Sequence, residues 1–328
     1  GFQAPPSHSG GVIDFDRDFH GVDINYTHVS QVGSGKLSTT AGVDYSRSTD
    51  ARRGYENFVG PQFGVIGNLR RDEEDQLTGV DPYLQVEWEG GPWVLSAGLR
   101  HSRLKVEVDD FYQSNGDDSG VAEYRETTPV AGVLYKVSPA LNVYASAARG
   151  FETPTLNELF YSPSGAGFNF GLRPASSKHA EVGVKAIVGT NTRVSAALFQ
   201  VRTDDELVVD TSGGGRTSYR NASETLRRGV ELSAETAFAD GWSARMALTA
   251  LRATYETAFG SVAAGSSLPG IPRANLFAEL AWNDKAGRFG AALEGIASKK
   301  FYTEDTNTEI PAPGYGALNA RVQAKQSA

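Results

Sequence analysis

Residues 148–159 read Ala148-Arg149-Gly150-Phe151-Glu152-Thr153-Pro154-Thr155-Leu156-Asn157-Glu158-Leu159, and residues 169–183 read Asn169-Phe170-Gly171-Leu172-Arg173-Pro174-Ala175-Ser176-Ser177-Lys178-His179-Ala180-Glu181-Val182-Gly183. A strand ends near Arg149, because Pro154 fixes φ and ends a β-ladder. A Gly-rich gap follows, and a second strand starts near Lys178. The stretch reads as strand, long loop, strand.

Working outward, the same unit recurs. Trp93, Leu95, Ala97 and Leu99 alternate with Val94, Ser96, Gly98 and Arg100. Trp242, Ala244, Met246 and Leu248 alternate with Ser243, Arg245, Ala247 and Thr249, and the runs from Ala274 to Trp282 and from Phe289 to Leu293 behave alike. A period of two is a strand with one apolar face. No convincing amphipathic helix interrupts these runs. Tight turns are predicted at Gly33-Ser34-Gly35, Gly90-Gly91-Pro92, Ser138-Pro139-Ala140, Gly189-Thr190-Asn191, Asp240-Gly241 and 284–287, about 50 residues apart. Long polar loops are predicted between them, near 56–76, 112–122, 155–177, 212–216, 258–272 and 305–313. Short turns on one rim and long loops on the other are the pattern of an outer-membrane β-barrel, whereas a soluble sandwich turns every 8–12 residues or so. Trp88, Trp93, Trp242 and Trp282 all flank short turns, so they are predicted to form an aromatic girdle at one membrane interface.

Composition is consistent with this. The mean hydropathy is −0.34 and no stretch approaches the roughly 20 apolar residues that a membrane-spanning helix needs, but a barrel exposes only alternate residues to lipid. No cysteine is present, so thiolate metal sites and disulfide scaffolds are excluded. The five histidines are scattered without metal-ligand spacing, and a net charge of −8 argues against a nucleic-acid surface. Counting runs gives an all-β, antiparallel sheet of about 13 strands, roughly 10–20 residues each, against the 9–11 or so that cross a bilayer. The surplus is expected to project above the outer surface.

The two halves quoted at the outset, "RGF-x-x-P-x-x-x-E-L" and "N-x-x-L-x-P-x-x-x-x-x-x-E-x-G", resemble the barrel signature of TonB-dependent outer-membrane receptors. The resemblance implies a single partial transmembrane β-barrel domain over residues 1–328 of a parent with about 22 strands. About seven strands and a plug are expected before residue 1, and about two strands after residue 328. The N-terminal segment carries no signal peptide, as expected of an internal piece. An open sheet of this kind leaves two unpaired edges, and this segment alone is not expected to insert stably. The resemblance further implies location in the bacterial outer membrane, a monomer, no enzymatic activity, no cofactor and no resident metal. It also implies a small nutrient ligand, energy coupling to the inner-membrane TonB complex through a plug bearing the TonB box, and contact with lipid and lipopolysaccharide. Such receptors are also expected to serve phages and colicins.

Tyr55-Glu56-Asn57-Phe58, residues 69–73, residues 115–120, the Gly150–Leu159 motif and the stretches 203–206 and 213–217 are similar to the subfamily that takes up pyrroloquinoline quinone. That implies a planar tricarboxylate, with a ferric siderophore as the alternative ligand and a passive porin as the alternative class. A surface β-protein such as a sugar-binding or sugar-cleaving sandwich is a further class, opposed by the tryptophans and the turn rhythm. Arginine clamps carboxylates through its planar fork. Candidates at loop-side strand ends are Arg47, Arg52, Arg53, Arg70, Arg71, Arg103, Arg202 and Arg216, with Tyr55, Tyr112, Phe151 and Tyr161 as stacking partners. For any single arginine, lipopolysaccharide contact or a strand-to-strand ion pair is favoured over a ligand clamp. In the signature loop (Arg149, Gly150, Phe151, Pro154, Asn157, Glu158, Leu159) an anchoring role is favoured over ligand contact. Residues 115–120 lack calcium-loop spacing and read as a solvated turn, and Asp204, Asp205 and Glu206 follow one another at a strand top with neighbours on opposite faces, which favours a charged rim position over paired acid–base work. Gly213-Gly214-Gly215 is expected to be a hairpin tip, since no helix follows to bind phosphate.

Overall fold

The computed structural model describes residues 11–162, 167–213, 216–222 and 224–325. The first half contains β1 (Val12–Val32), β2 (Gly35–Tyr55), a small hairpin of β3 (Phe58–Val59) and β4 (Gln62–Phe63), β5 (Leu69–Gly90), β6 (Trp93–Asp110), β7 (Gly120–Ser138) and β8 (Leu141–Glu152). A single helical turn, α1 (Leu156–Leu159), follows. The second half contains β9 (Ala175–Val188), β10 (Thr192–Asp204), a hairpin of β11 (Leu207–Gly213) and β12 (Arg216–Asn221), β13 (Glu224–Phe238), β14 (Trp242–Tyr255), β15 (Ala274–Asn283), β16 (Phe289–Ser298) and β17 (Tyr315–Ala324). Thirteen strands form one antiparallel sheet in the order β1-β2-β5-β6-β7-β8-β9-β10-β13-β14-β15-β16-β17, each strand beside its nearest large neighbour in sequence.

The period of two survives intact. Along β6, Trp93, Leu95, Ala97 and Leu99 are exposed while Val94, Ser96, Gly98 and Arg100 are half-buried. Register carries this apolar face from strand to strand: Leu95 opposes Val133, Leu84 opposes Leu99, and Leu232 opposes Leu248. An exposed row of leucine, valine and tryptophan would be a liability in water and is what a lipid-facing band requires. The opposite face is polar. There Arg100 bridges Asp44 (2.9 Å) and Asp81 (2.6 Å), and Glu279 holds Arg245 (2.6 Å) and Arg321 (3.4 Å).

The tryptophans share the apolar face at the short-turn rim. Trp242 and Trp282 oppose each other directly, and Trp93 packs on Tyr135 at 4.5 Å between ring centroids. Two indoles also pin the turns: Trp88 Nε1 donates to the Val32 carbonyl (3.1 Å) and Trp282 Nε1 to the Asp240 carbonyl (3.0 Å). An amphipathic ring at an interface keeps its N–H bonded in this way.

Two expectations change. The loop predicted over 56–76 ends earlier, because β5 begins at Leu69 and runs for 22 residues. Its polar start reads as loop in sequence, yet Arg53–Asp72 and Arg52–Glu73 face each other across β2 and β5 and extend the ladder. The loop predicted around 212–216 is broader, since β11 and β12 form a hairpin inside the connection from β10 to β13. Gly214 and Gly215, at the expected tip, lie outside the described residues.

The signature glycine has a local cause. Gly183 lies opposite Tyr144, and a Cβ at Gly183 would stand 2.5 Å from the tyrosine ring. Tyr144 Oη donates to Glu181 Oε1 at 2.6 Å, so the "E-x-G" pair receives both the hydroxyl and the ring of one cross-strand tyrosine. Gly42 under Tyr83 and Gly229 under Phe199 repeat the arrangement. Aromatic cover of glycine pins register. Gly183→Val is expected to lower barrel stability by about 1–3 kcal/mol, read as a lower temperature for loss of the compact band in unboiled gel electrophoresis. Tyr144→Ala on that background should recover part of the loss; equal heat resistance of Gly183→Val and the parent would refute the pairing.

Candidate functional site

Buried apolar side chains gather at the long-loop rim, above the lipid-facing band. Val106, Val108, Ala122, Tyr124, Leu159 and Leu172 form one cluster. The signature loop supplies its centre. Pro154 and Leu159 are fully buried, and α1 is closed by a capping box in which Glu158 accepts from the Thr155 backbone N–H (2.7 Å) and hydroxyl (2.9 Å). The motif's second half returns to it: the Asn169 N–H donates to the Leu159 carbonyl (2.7 Å), and Asn169 Nδ2 donates to the Tyr219 carbonyl (3.2 Å). Asn157 is exposed. Phe151 packs at the edge of the same cluster.

Anchoring Leu159 fixes the two residues after it. Phe160 is buried, with Phe168 edge-on at 5.4 Å and Phe170 stacked on Phe168 at 5.5 Å. The guanidinium of Arg52 lies 4.2 Å from the Phe160 ring centre, and that of Arg71 lies 5.3 Å from Phe160 and 5.7 Å from Tyr161. Glu73 joins the two arginines, 3.5 Å from Arg52 Nη1 and 3.2 Å from Arg71 Nη1. Strand alternation places Asp50 and Arg52 on the polar face of β2, opposite Asp75 and Glu73 on β5. Arg17 of β1 holds Asp50 through two bonds of 2.5 and 2.6 Å, and Ser48 donates to it at 3.1 Å.

The electrostatics are unusual for carboxylates. Asp75 is 1% exposed, and among the described residues its Oδ1 has no hydrogen-bond partner. Burial, with the charge of Glu73 beside it, pushes Asp75 up to about 7. Burial also raises Glu73 despite Arg71 and Arg52, and burial together with Arg71 lowers Arg52. Two guanidiniums against the buried Phe160 ring, with Glu73 between them, make a cluster whose chemistry suits an anionic group.

The other candidates are dispersed. Arg53 pairs with Asp72 (3.2 Å), Arg202 with Glu224 (2.6 Å), Arg103 with Glu123, and Arg47 donates to Gln76 (2.5 Å). Strand alternation puts these four on the apolar-face side of the sheet, away from Arg52. Arg70 and Tyr55 stand at the β2–β5 rim, and Tyr112 lies in a turn where its N–H donates to Asp110 (2.9 Å). The side chain of Arg216 lies outside the described residues. Asp204, Asp205 and Glu206 each take a different cation: Lys178 (3.9 Å), Arg173 (2.5 Å) and Arg227. Sequence reasoning missed Phe160, Glu73, Asp75, Asp50 and Arg17. Alternation could have put 50 with 52 and 73 with 75, but only the β2–β5 register brings the pairs together.

A family model described as "TonB dependent receptor-like, beta-barrel" matches residues 2–326. The metal-pseudopaline receptor CntO of Pseudomonas aeruginosa is 23% identical over 80% of this chain and 36% of its own length. The vitamin B12 transporter BtuB of Vibrio vulnificus is 25% identical over 60% of this chain and 27% of its own. Among solved structures, the ferric citrate transporter FecA in its unliganded form superposes with a TM-score of 0.79 at 15% identity, covering 95% of this chain and 47% of that one. The siderophore receptor PiuA of Acinetobacter baumannii gives 0.76 at 17% identity, covering 96% and 50%. The chain thus spans about a third of the length of the first curated relative and about half of the structural ones.

Asp75 makes stability pH-dependent. Its pKa is higher when folded than the ordinary value near 3.9, so its contribution is fully present below about pH 4 and is lost as pH rises towards 7. Asp75→Asn is therefore expected to raise the unfolding midpoint at pH 8 and leave it nearly unchanged at pH 4. A variant that is less stable than the parent at pH 8 would show that the carboxylate is needed as a charge.

Proposed function

The chain belongs to the TonB-dependent receptor β-barrel family, and from that we propose that it is the outer-membrane wall of a receptor that captures a small, carboxylate-rich nutrient at its extracellular rim. Family members are transport receptors of the outer membrane rather than enzymes. Import past this rim draws on the TonB complex of the inner membrane, through a plug seated against the polar face.

The observation that carries the ligand chemistry is the Arg52–Arg71 pair over Phe160 and Tyr161. Its planar forks suit carboxylates, and its aromatic floor suits a flat or apolar ligand body. Citrate, named for one structural relative, is a tricarboxylate, and the names of the other relatives speak of metal chelates and of a vitamin. This favours a metal chelate with carboxylate arms. Pyrroloquinoline quinone, also a tricarboxylate, draws its support from the sequence motifs around Tyr55, Leu69, Asn115, Gly150, Thr203 and Gly213, and none of these relatives is named for it.

Titration calorimetry on the full receptor chain in detergent, with ferric citrate, a ferric siderophore panel and pyrroloquinoline quinone, separates the two. Arg52→Ala/Arg71→Ala is expected to weaken the bound ligand at least about 30-fold, for two charge-assisted contacts. Binding that survives in the double variant would move the site elsewhere on the rim. Binding of the quinone but of no chelate would make the quinone the cargo.

A further inference from the structure

The long-loop ends of β2 and β5, with the end of β6, bury four carboxyl groups: Asp50, Glu73, Asp75 and Asp110. Three of them are held. Arg17 and Ser48 donate to Asp50. Arg52 and Arg71 share Glu73. The backbone N–H groups of Tyr112 and Asp118 donate to Asp110. Asp75 differs, since among the described residues nothing bonds its Oδ1.

Register makes its position worse. Asp75 stands directly across from Asp50 on β2, and like charges directly opposite destabilise a sheet. On its other side it meets Val108 of β6, an apolar and fully buried neighbour. The charged groups around it are Asp50 and Arg52 from β2, Glu73 and Arg71 from β5, and Asp110 from β6, which opposes Glu73. Beyond Asp50 lies Arg17 of β1, and the loop after α1 brings the Tyr161 ring to Arg71.

These charges balance only while the arginines are left alone. Arg17 is committed to Asp50, so Arg52 and Arg71 are the two cations that compensate Glu73 and Asp75. A ligand with two or more carboxylates that takes the same guanidiniums leaves excess negative charge in a desolvated place. Protonating one acid reduces the excess. Glu73 would surrender both arginines by taking the proton, and Asp50 would surrender Arg17. Asp75 loses no hydrogen bond at Oδ1, so its protonation is the least costly. Burial and the charge of Glu73 already hold its carboxyl up at about 7, and Arg52 and Arg71 are the cations that pull it down.

We propose, resting on the assignment of Arg52 and Arg71 to the nutrient, that capture of a polycarboxylate there is coupled to uptake of one proton by Asp75. The proton comes from solvent and goes to a carboxylate oxygen of Asp75, and no bond of the ligand changes. Asp75 holds its proton more firmly in the complex than in the free receptor. The added affinity is therefore whole below about pH 7 and is lost as pH rises through the higher value of the complex.

The test is titration calorimetry of the full receptor chain in detergent, with ferric citrate, ferric siderophores and pyrroloquinoline quinone as probes, on the parent and on Asp75→Asn. A probe that binds is expected to lose at least about threefold in affinity between about pH 7 and about pH 9 on the parent, and to keep it on Asp75→Asn. The ionisation of the probe itself falls equally on both proteins. Equal pH dependence of the two would overturn the coupling and leave the Arg52–Arg71 site standing. Failure of every probe to bind at any pH would overturn the site and the coupling with it. Should Asp75→Asn lose its fold, infrared spectroscopy of the ligand-free receptor carrying isotope-labelled aspartate follows the C=O stretch of the protonated carboxyl against pH. Arg52→Gln is expected to move its midpoint upward; an unchanged midpoint in the folded variant would overturn the proposal.

Discussion

A backbone N–H or C=O facing hydrocarbon has no water to bond, and the whole molecule answers to that constraint. Thirteen strands satisfy it by pairing each with the next, through turns as short as Gly33–Ser34 and Gly91–Pro92. Continuous pairing fixes register, and register fixes which face every side chain occupies. A slip of one residue between β14 and β15 would part Trp242 from Trp282 and send Glu279 from the polar face into lipid. The ion pair of Arg245 with Glu279 and the indole bond from Trp282 to Asp240 therefore act as register locks as much as local contacts.

The same constraint makes the interior of this protein unlike that of a soluble domain. The sheet has no apolar core between its faces; one face is exposed and greasy, the other polar. The buried apolar clusters sit at the long-loop rim, where Val106 and Leu159 pack in one and Ala253, Tyr255 and Val262 in the other. Glycines under Tyr83, Tyr144 and Phe199 bring large rings flat against the polar face without widening the strand spacing. Tyrosine and phenylalanine there supply packing that a conventional core would otherwise provide.

Much of this was legible in sequence because it depends on period and spacing alone. The alternation from Trp93 to Leu99, the short turns and the tryptophans at one rim all follow from residues close in the chain. The loop boundaries were less legible. Residues 70–76 are charged and look like a loop, but they are strand because Arg52 and Arg53 lie opposite to pair with them across an insertion. The site was partly legible: Arg52, Arg71 and Tyr161 are recognisable as binding residue types, whereas Phe160 and Asp75 matter only through contacts made by folding. Arg202 shows the converse, since type and position at a strand end suggested a ligand contact and only strand parity reveals which face it occupies.

The rim is a packed structure and not a fringe of free loops, and this bears on how it could hold a ligand. The β11–β12 hairpin places Leu207 and Tyr219 against one apolar cluster and Val208 against the other. Tyr255 Oη donates to Asp305 at 2.6 Å, which ties the loop before β17 to the end of β14, and Asn307 brackets Ser267 with bonds of 2.6 and 2.9 Å. Arg227 and Glu206 join the hairpin's base to β13. Displacing the signature loop would expose Leu159, a leucine whose full burial is worth roughly 1.5–3 kcal/mol. It would also take the Phe160 ring from Arg52 and Arg71, the two cations beside Glu73. A ligand that recruits Arg52 and Arg71 takes their charge away from Glu73, so anion binding, loop packing and carboxyl protonation are one linked equilibrium at this rim.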